Sequence, residues 1–159
     1  MKRWLAIVCI CVLSMSFVSC GNNTTENEAG ETVASQTETE MKEMDNKMQV
    51  LVGDYTFTAT LEDNQAVNEL VDMMSEGDVV LKLDDYSGFE KVGSLGCELT
   101  RSDKQTTTHS GDIVLYGGDN IVVFYGSNSW SYTRIGKIDD LTNWEAALGN
   151  GSVTITFRK

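Results

Sequence analysis

Hydrophobic and polar positions divide the chain into three stretches of different character. Residues 4–18 form an apolar run without charge behind Lys2-Arg3. A membrane-spanning helix needs about 20 apolar residues, and this run is shorter. Residues 21–48 are mostly Asn, Thr, Glu, Gln and Ser, with almost nothing apolar before Met41. Residues 49–159 alternate apolar and polar in short runs broken by Gly, Asp, Asn and Ser. That is the pattern of short strands joined by tight turns.

Within the third stretch, Val50 and Val52 alternate with Gln49 and Leu51. Tyr55, Phe57, Ala59 and Leu61 then share one face, with Thr56, Thr58 and Thr60 on the other, which predicts a strand bent at Gly53. Asp63 or Asn64 can cap a helix whose buried stripe is Ala66, Val67, Leu70, Val71 and Met74, ended by Gly77. Val79, Leu81 and Leu83 predict the next strand, and Phe89 to Val92 another after the turn at residues 84–88. Cys97 to Arg101 and the Thr-rich stretch up to His109 read as weaker strands. The clearest hairpin pairs Asp112–Tyr116 with Ile121–Tyr125 across Gly117-Gly118-Asp119-Asn120. A short helix is expected from about Leu141 to Leu148, capped by Asp139 or Asp140 and stopped by Gly149. In the last strand Val153, Ile155 and Phe157 point inward. About eight short strands with two helices predict a mainly β domain closed, or nearly closed, into a barrel, because closure removes exposed edges.

Charge narrows the partners. The chain carries 12 basic and 24 acidic residues, a net −12. Residues 49–159 hold seventeen acids against eight bases, a net −9. Such a surface repels nucleic acid and anionic lipid, so no nucleic-acid partner is expected. Residues 21–48 cannot bury enough surface to fold and are expected to form a disordered acidic tether that reaches about 30 Å as a flexible coil. Met41, Met44 and Met48 recur at a spacing that allows a short frayed helix at its end. There is no proline, so turns depend on Gly, Asp, Asn and Ser.

Cys20 closes the tetrapeptide Phe17-Val18-Ser19-Cys20. A basic start, a short apolar stretch, a small residue and Cys, in that order, resemble a bacterial lipoprotein signal. The resemblance implies cleavage before Cys20, a diacylglycerol on its thiol and an acyl chain on the new amine. Residues 1–19 would be the signal peptide, 20–48 the lipidated Cys and tether, and 49–159 the folded domain. The protein would then sit in the bacterial cell envelope, lipid-anchored to a membrane on the extracytoplasmic side. Phe17 departs from the pattern, where Leu or a smaller aliphatic residue is usual. An ordinary secretory signal cut near Ser19 and an uncleaved anchor are the alternatives. Cys9 and Cys11 would leave with the signal, so Cys97 would remain without a disulfide partner. It is expected to be a small buried core residue, because its charged neighbour is Glu98 rather than the cation that a reactive thiol needs.

Several separated segments carry a second resemblance. They are Thr58-Ala59-Thr60-Leu61-Glu62-Asp63-Asn64 leading into the helix, Asp85-Tyr86-Ser87-Gly88-Phe89-Glu90-Lys91, Gly111-Asp112-Ile113-Val114, and Val123-Phe124-Tyr125-Gly126-Ser127-Asn128 running on to Arg134-Ile135-Gly136-Lys137-Ile138. In this order they resemble the bacterial cyclophilin-like domain family, over essentially all of residues 49–159. The resemblance implies a small eight-stranded barrel with two helices at its ends. Members often carry Pro where this chain has Ser75-Glu76, Gly96 and Ser110, which implies local loop changes. Prolyl isomerases of the cyclophilin type use an Arg beside a Phe-Met-Gln pocket, with a Trp and a His. No such set occurs in order here, so no catalytic residue is carried over and fold alone assigns no activity.

The candidate site residues follow from local chemistry. Tyr125, Ser127, Asn128, Trp130 and Tyr132 lie in one loop that combines aromatic faces with short polar groups, as recognition loops do. Glu90 and Lys91 are strand neighbours pointing to opposite faces, so one of them is expected to face the barrel interior or its mouth. A buried Glu90 needs a partner, and Arg134 or Arg101 can serve. His109 is the single histidine and is expected in a solvent-facing loop; no nucleophile motif accompanies it. One His and one mature Cys do not make a zinc site, and no metal or cofactor is expected. Asp112 is expected to organise a turn, and Trp144 to pack a helix. The leading expectation is a tethered binding domain without catalysis. Its barrel mouth would hold a small molecule or peptide against Tyr125, Trp130 and Tyr132, oriented by Glu90 and Arg134. A prolyl isomerase-like folding helper and an envelope interaction module are the alternatives.

Overall fold

A computed structural model describes residues 46–159. The apolar run, Cys20 and the tether up to residue 45 lie outside the described residues. Nine strands and two helices follow in the order β1 (Lys47–Val52), β2 (Tyr55–Leu61), α1 (Gln65–Glu76), β3 (Val79–Tyr86), β4 (Glu90–Ser94), β5 (Lys104–Thr107), β6 (Asp112–Tyr116), β7 (Asn120–Phe124), β8 (Ser129–Ile138), α2 (Trp144–Leu148) and β9 (Val153–Arg158). Eight strands hydrogen-bond in the ring β2-β1-β9-β3-β4-β7-β6-β8 and return to β2, every pairing antiparallel. The ninth, β5, pairs with the first half of β8 and stands outside the ring. The expected closed barrel of about eight strands is therefore present.

Alternate positions fill the barrel. Val50, Val52, Phe57, Ala59, Leu81, Leu83, Ile113, Leu115, Ile121, Val123, Ile155 and Phe157 are buried in one continuous core. Helix α1 covers an end of this core with Ala66, Val67, Leu70 and Met74. Asn64 caps the helix: its Oδ1 accepts from the Val67 amide at 3.1 Å, and its Nδ2 donates to the Arg134 carbonyl at 2.8 Å. Such a cap stabilises a helix by about 1 kcal/mol, and here it also ties α1 to β8. Closure needs Gly136, which pairs with Ile113 on one side and Leu61 on the other. A Cβ there would come within 2.5 Å of the Thr60 carbonyl oxygen, so only glycine lets β2 and β8 meet.

Several expectations change. The chain does not bend at Gly53 but reverses there: Val52 faces Tyr55 across a two-residue turn, with Gly53 at φ +56. Tyr55 therefore sits at a hairpin end, exposed, with its ring stacked on Phe57 at 6.2 Å. Met48, assigned to the tether and its frayed helix, lies in β1 and is 1% exposed. No strand forms over Cys97–Arg101. Gly96 turns the chain at φ +83, and Leu95 and Leu99 are the residues that enter the core. Cys97 is left exposed, against the expectation of burial, with its sulfur 3.7 Å from that of Met73. The second helix starts three residues late, at Trp144, because Asn143 is left-handed at φ +66 and interrupts any helix begun at Leu141, although Asp140 does accept from the Thr142 amide at 2.8 Å.

Candidate functional site

The wall made by β4, β7, β6 and β8 is apolar on both faces. Val114, Val122 and Phe124 point away from the core yet are buried, in a second cluster with Tyr132 against which Phe89 and Val92 pack. The cover comes from β8. Its residues Thr133–Lys137 pair with β6, but Ser129–Tyr132 run on past the barrel and are held by β5 instead. A bulge at Ile135 lies between these halves: Ile113 faces Gly136, while Val114 faces Arg134. The Tyr132 ring then meets Phe124 edge-on at 5.8 Å and Tyr116 at 6.1 Å.

Between this flap and the β3–β4 hairpin lies a groove of about 350 Å³. It is lined by Tyr86, Glu90, Val92, Tyr116, Val122, Asn128, Trp130 and Tyr132. The volume is that of a small-molecule site, in the range of roughly 300 to 1,000 Å³. Three rims are exposed aromatics, Tyr86, Tyr116 and Trp130. The floor is aliphatic. Asn128 is fixed as a polar corner: its Oδ1 accepts from the Ser129 amide at 2.8 Å, and its Nδ2 donates to the Tyr132 hydroxyl at 3.0 Å.

Glu90 is the one carboxylate lining the groove. The side chain is 6% exposed, and its Oε2 has no hydrogen-bond partner. Burial without a partner disfavours the charged form and raises its pKa from 4.5 to about 7. The Tyr132 phenol is also raised, first by its own burial and then by the charge of Glu90. Neither expected arginine partner is there. Arg134 bonds Glu62 at 3.1 Å and Asp112 at 3.0 Å, and Arg101 is paired with Asp103.

The structure thus brings together Glu90, Asn128, Trp130 and Tyr132 from the sequence-predicted site and leaves out the other three. Tyr125 packs against the barrel core, its hydroxyl donating to Asp85, which with desolvation as the larger cause pushes its pKa up to about 12. Ser127 donates to the Thr108 carbonyl at 2.7 Å and holds its loop together. Arg134 belongs to a separate ion-pair group. The groove is not at the barrel mouth where the site was expected: the interior is filled by side chains and the groove lies on the outer wall. The residues that sequence reasoning missed are Tyr86, Val92, Tyr116 and Val122. Only Val122 had a local signal, in the runs Ile113-Val114-Leu115 and Ile121-Val122-Val123-Phe124, which do not alternate as a strand with one wet face should.

The remaining candidates have structural tasks. Asp112, 2% exposed, accepts from the His109 amide at 2.9 Å and so organises the turn, besides holding Arg134. The His109 side chain is exposed. Trp144 is buried, and its Nε1 donates to the Phe124 carbonyl at 2.8 Å, pinning α2 to the end of β7. Lys91, on the opposite face from Glu90, is the neighbour that points inward and is fully buried. Among the described residues no group of three or more His, Cys, Asp or Glu is placed to hold a metal ion.

Comparison with known proteins places this geometry. The sequence pattern of the Cyclophilin-like family matches residues 50–158. The solution structure of a hypothetical protein from Archaeoglobus fulgidus is similar with a TM-score of 0.50. That similarity covers 70% of this chain and 92% of that one at 12% identity, a level at which likeness concerns the fold alone. No curated protein matches the chain.

Proposed function

The chain belongs to the Cyclophilin-like family, and from that premise we propose that it is a binding domain tethered to a membrane, taking a small molecule or a peptide segment in the outer-wall groove. The observation that carries this reading is Glu90. A buried carboxyl without a partner destabilises a fold unless something completes it, and this one lines an aromatic groove of ligand size. No Ser, Cys, His or Lys lines the groove beside it, and the proposed role is binding rather than catalysis. The anchor is Cys20, supported by the residue order around it; several acyl chains anchor a protein stably. The position is the bacterial cell envelope, outside the cytoplasm.

Two measurements test the two halves. The mature protein is expected to begin at Cys20 and to carry acyl mass there, and Cys20→Ser to lose that mass; a wild-type protein whose mass shows no acyl group sinks the lipid anchor. The groove is tested by NMR titration of the unlipidated chain, residues 21–159, with short peptides that include X-Pro sequences. Shifts are expected at Glu90, Asn128, Trp130 and Tyr132, without faster cis/trans exchange in the peptide, and at least tenfold weaker in Trp130→Ala. Faster exchange would make the domain an isomerase instead. Shifts elsewhere on the barrel would move the site.

A further inference from the structure

Resting on the groove as a binding site, we infer that its occupant presents a cation, an ammonium or guanidinium group on an apolar or peptide frame, with Glu90 as counter-ion and the aromatic rings as walls. An ionised carboxylate only accepts hydrogen bonds, so whatever satisfies Oε2 of Glu90 must donate. Lys104, opposite Tyr132 in the β5–β8 pairing, is exposed and does not line the groove, and the other basic side chains nearby are already committed. Lys91 bonds Asp85 and two carbonyl oxygens on the other face of the sheet. Arg134 is held by Glu62 and Asp112, and Arg101 by Asp103. No basic residue lines the groove. The donor must therefore come from outside.

Charge decides which donor is favoured. The faces of Tyr86, Tyr116, Trp130 and Tyr132 attract a desolvated cation. The domain, with a net −9 over residues 49–159, draws cations towards it and slows anions. An anionic ligand would meet a like charge in a dry site, and a neutral carbonyl would need Glu90 to remain protonated. A cation does the reverse and stabilises the ionised form.

The pairing makes binding pH-dependent. The titratable groups facing Glu90 are the phenols of Tyr86 from β3, Tyr116 from β6 and Tyr132 from β8, and its charge also reaches Tyr125 after β7. Phenols stay neutral at physiological pH, so Glu90 governs the change. With its pKa near 7, the ionised fraction rises from about a tenth at pH ~6 to about nine-tenths at pH ~8. A cation should accordingly bind about tenfold more tightly at the higher pH.

The experiment uses the unlipidated chain, residues 21–159, which contains the whole closed barrel and its core. The Trp130 indole N–H resonance reports occupancy. The probes are butylammonium and butylguanidinium as free cations, acetyl-Ala-Lys-Ala-amide and acetyl-Ala-Arg-Ala-amide as peptides, and butanol and acetyl-Ala-norleucine-Ala-amide as uncharged counterparts. Cations are expected to bind at least tenfold more tightly than their uncharged counterparts, and to lose about tenfold from pH ~8 to ~6. Glu90→Gln, which removes a buried charge and keeps the shape, should erase both differences. Tighter binding of the free cations assigns a small amine; tighter binding of the peptides assigns a Lys or Arg side chain; either supports the proposal. Equal binding of charged and uncharged probes, unchanged in Glu90→Gln, overturns the cation and leaves the groove as a site. Silence at Trp130 with every probe overturns both.

Discussion

Lys91→Met is expected to lower the unfolding free energy by about 2 kcal/mol, a large part of what a domain of this size possesses. Lys91 is the one fully buried charge among the described residues, 0% exposed. Its ammonium has three hydrogens and finds three acceptors: Asp85 Oδ1 at 2.9 Å, the Gly149 carbonyl at 3.0 Å and the Gly151 carbonyl at 2.8 Å. The Tyr125 ring lies 5.3 Å away, and its hydroxyl donates to Asp85. These bonds hold Asp85 below the usual carboxylate range, Lys91 contributing more than Tyr125. They also join β4 to the segment between α2 and β9, which has no strand partner of its own. Methionine keeps the length and apolar contacts of the stem, so the loss reports the ammonium alone. It stays below the cost of a broken buried pair, about 3 to 5 kcal/mol, because Asp85 and both glycines are partly or fully exposed and can rehydrate. Urea unfolding of the two proteins measures it. A loss below about 1 kcal/mol would mean that the network contributes no more than a surface ion pair.

Lys91 also shows where sequence reading stops. Strand alternation placed Glu90 and Lys91 on opposite faces, and the structure agrees. It could not say which faced the core, because a lysine stem is apolar enough to cross a barrel and deliver its charge at the end. The fold itself was largely legible. Threonines alternating with apolar residues from Thr56 to Leu61, the stripe from Ala66 to Met74, and the hairpin around Gly117-Gly118-Asp119 each became the element their spacing predicts. The failures are local and share a cause. Gly53 and Gly96 mark places where the chain turns, but a lone glycine does not say whether a strand bends, reverses or ends. Cys97 was assigned to a strand across such a glycine and so to the wrong environment.

The groove was legible in half. Trp130, Tyr132 and Asn128 stood out as aromatic and polar residues in one loop. Their opposite wall comes from β3, β4, β6 and β7, and no local pattern brings Tyr86 or Glu90 to Trp130; only closure of the barrel does. Arg134 illustrates the converse. It is two residues from Tyr132 and on the same outward side of β8, yet Glu62 and Asp112 hold it away from the groove. A sequence lists charges, but which charge finds which partner depends on tertiary distances. Glu90 stands apart because no basic residue lines the groove and the two arginines expected beside it are paired elsewhere.

Glu90→Gln is expected to stabilise the ligand-free domain by about 3 kcal/mol at pH ~8 and hardly at all at pH ~4. The folded-state pKa is about 7, against an ordinary value of 4.5. Below about pH 4.5 the carboxyl is protonated in both states, and glutamine, the same shape with no charge, is nearly equivalent. Between the two pKa values the unfolded chain has released a proton that the folded chain retains, so stability falls as pH rises. Above pH ~7 both states are ionised and the folded state carries the whole cost of a desolvated charge, about 1.4 kcal/mol for each tenfold difference in proton affinity between the folded and unfolded chains. The lowered carboxylates, such as Asp85, Asp78 and Asp139, act in the opposite sense and weaken the fold as pH falls. They are common to both proteins, so the difference between the two urea-unfolding profiles isolates Glu90. A difference that does not change with pH would mean that the carboxyl reaches water, and the groove would then have no unsatisfied acceptor to offer. A difference that opens between pH ~4.5 and ~7, and closes again when a cation is added to the native protein, would show that the stability lost to Glu90 is recovered on binding.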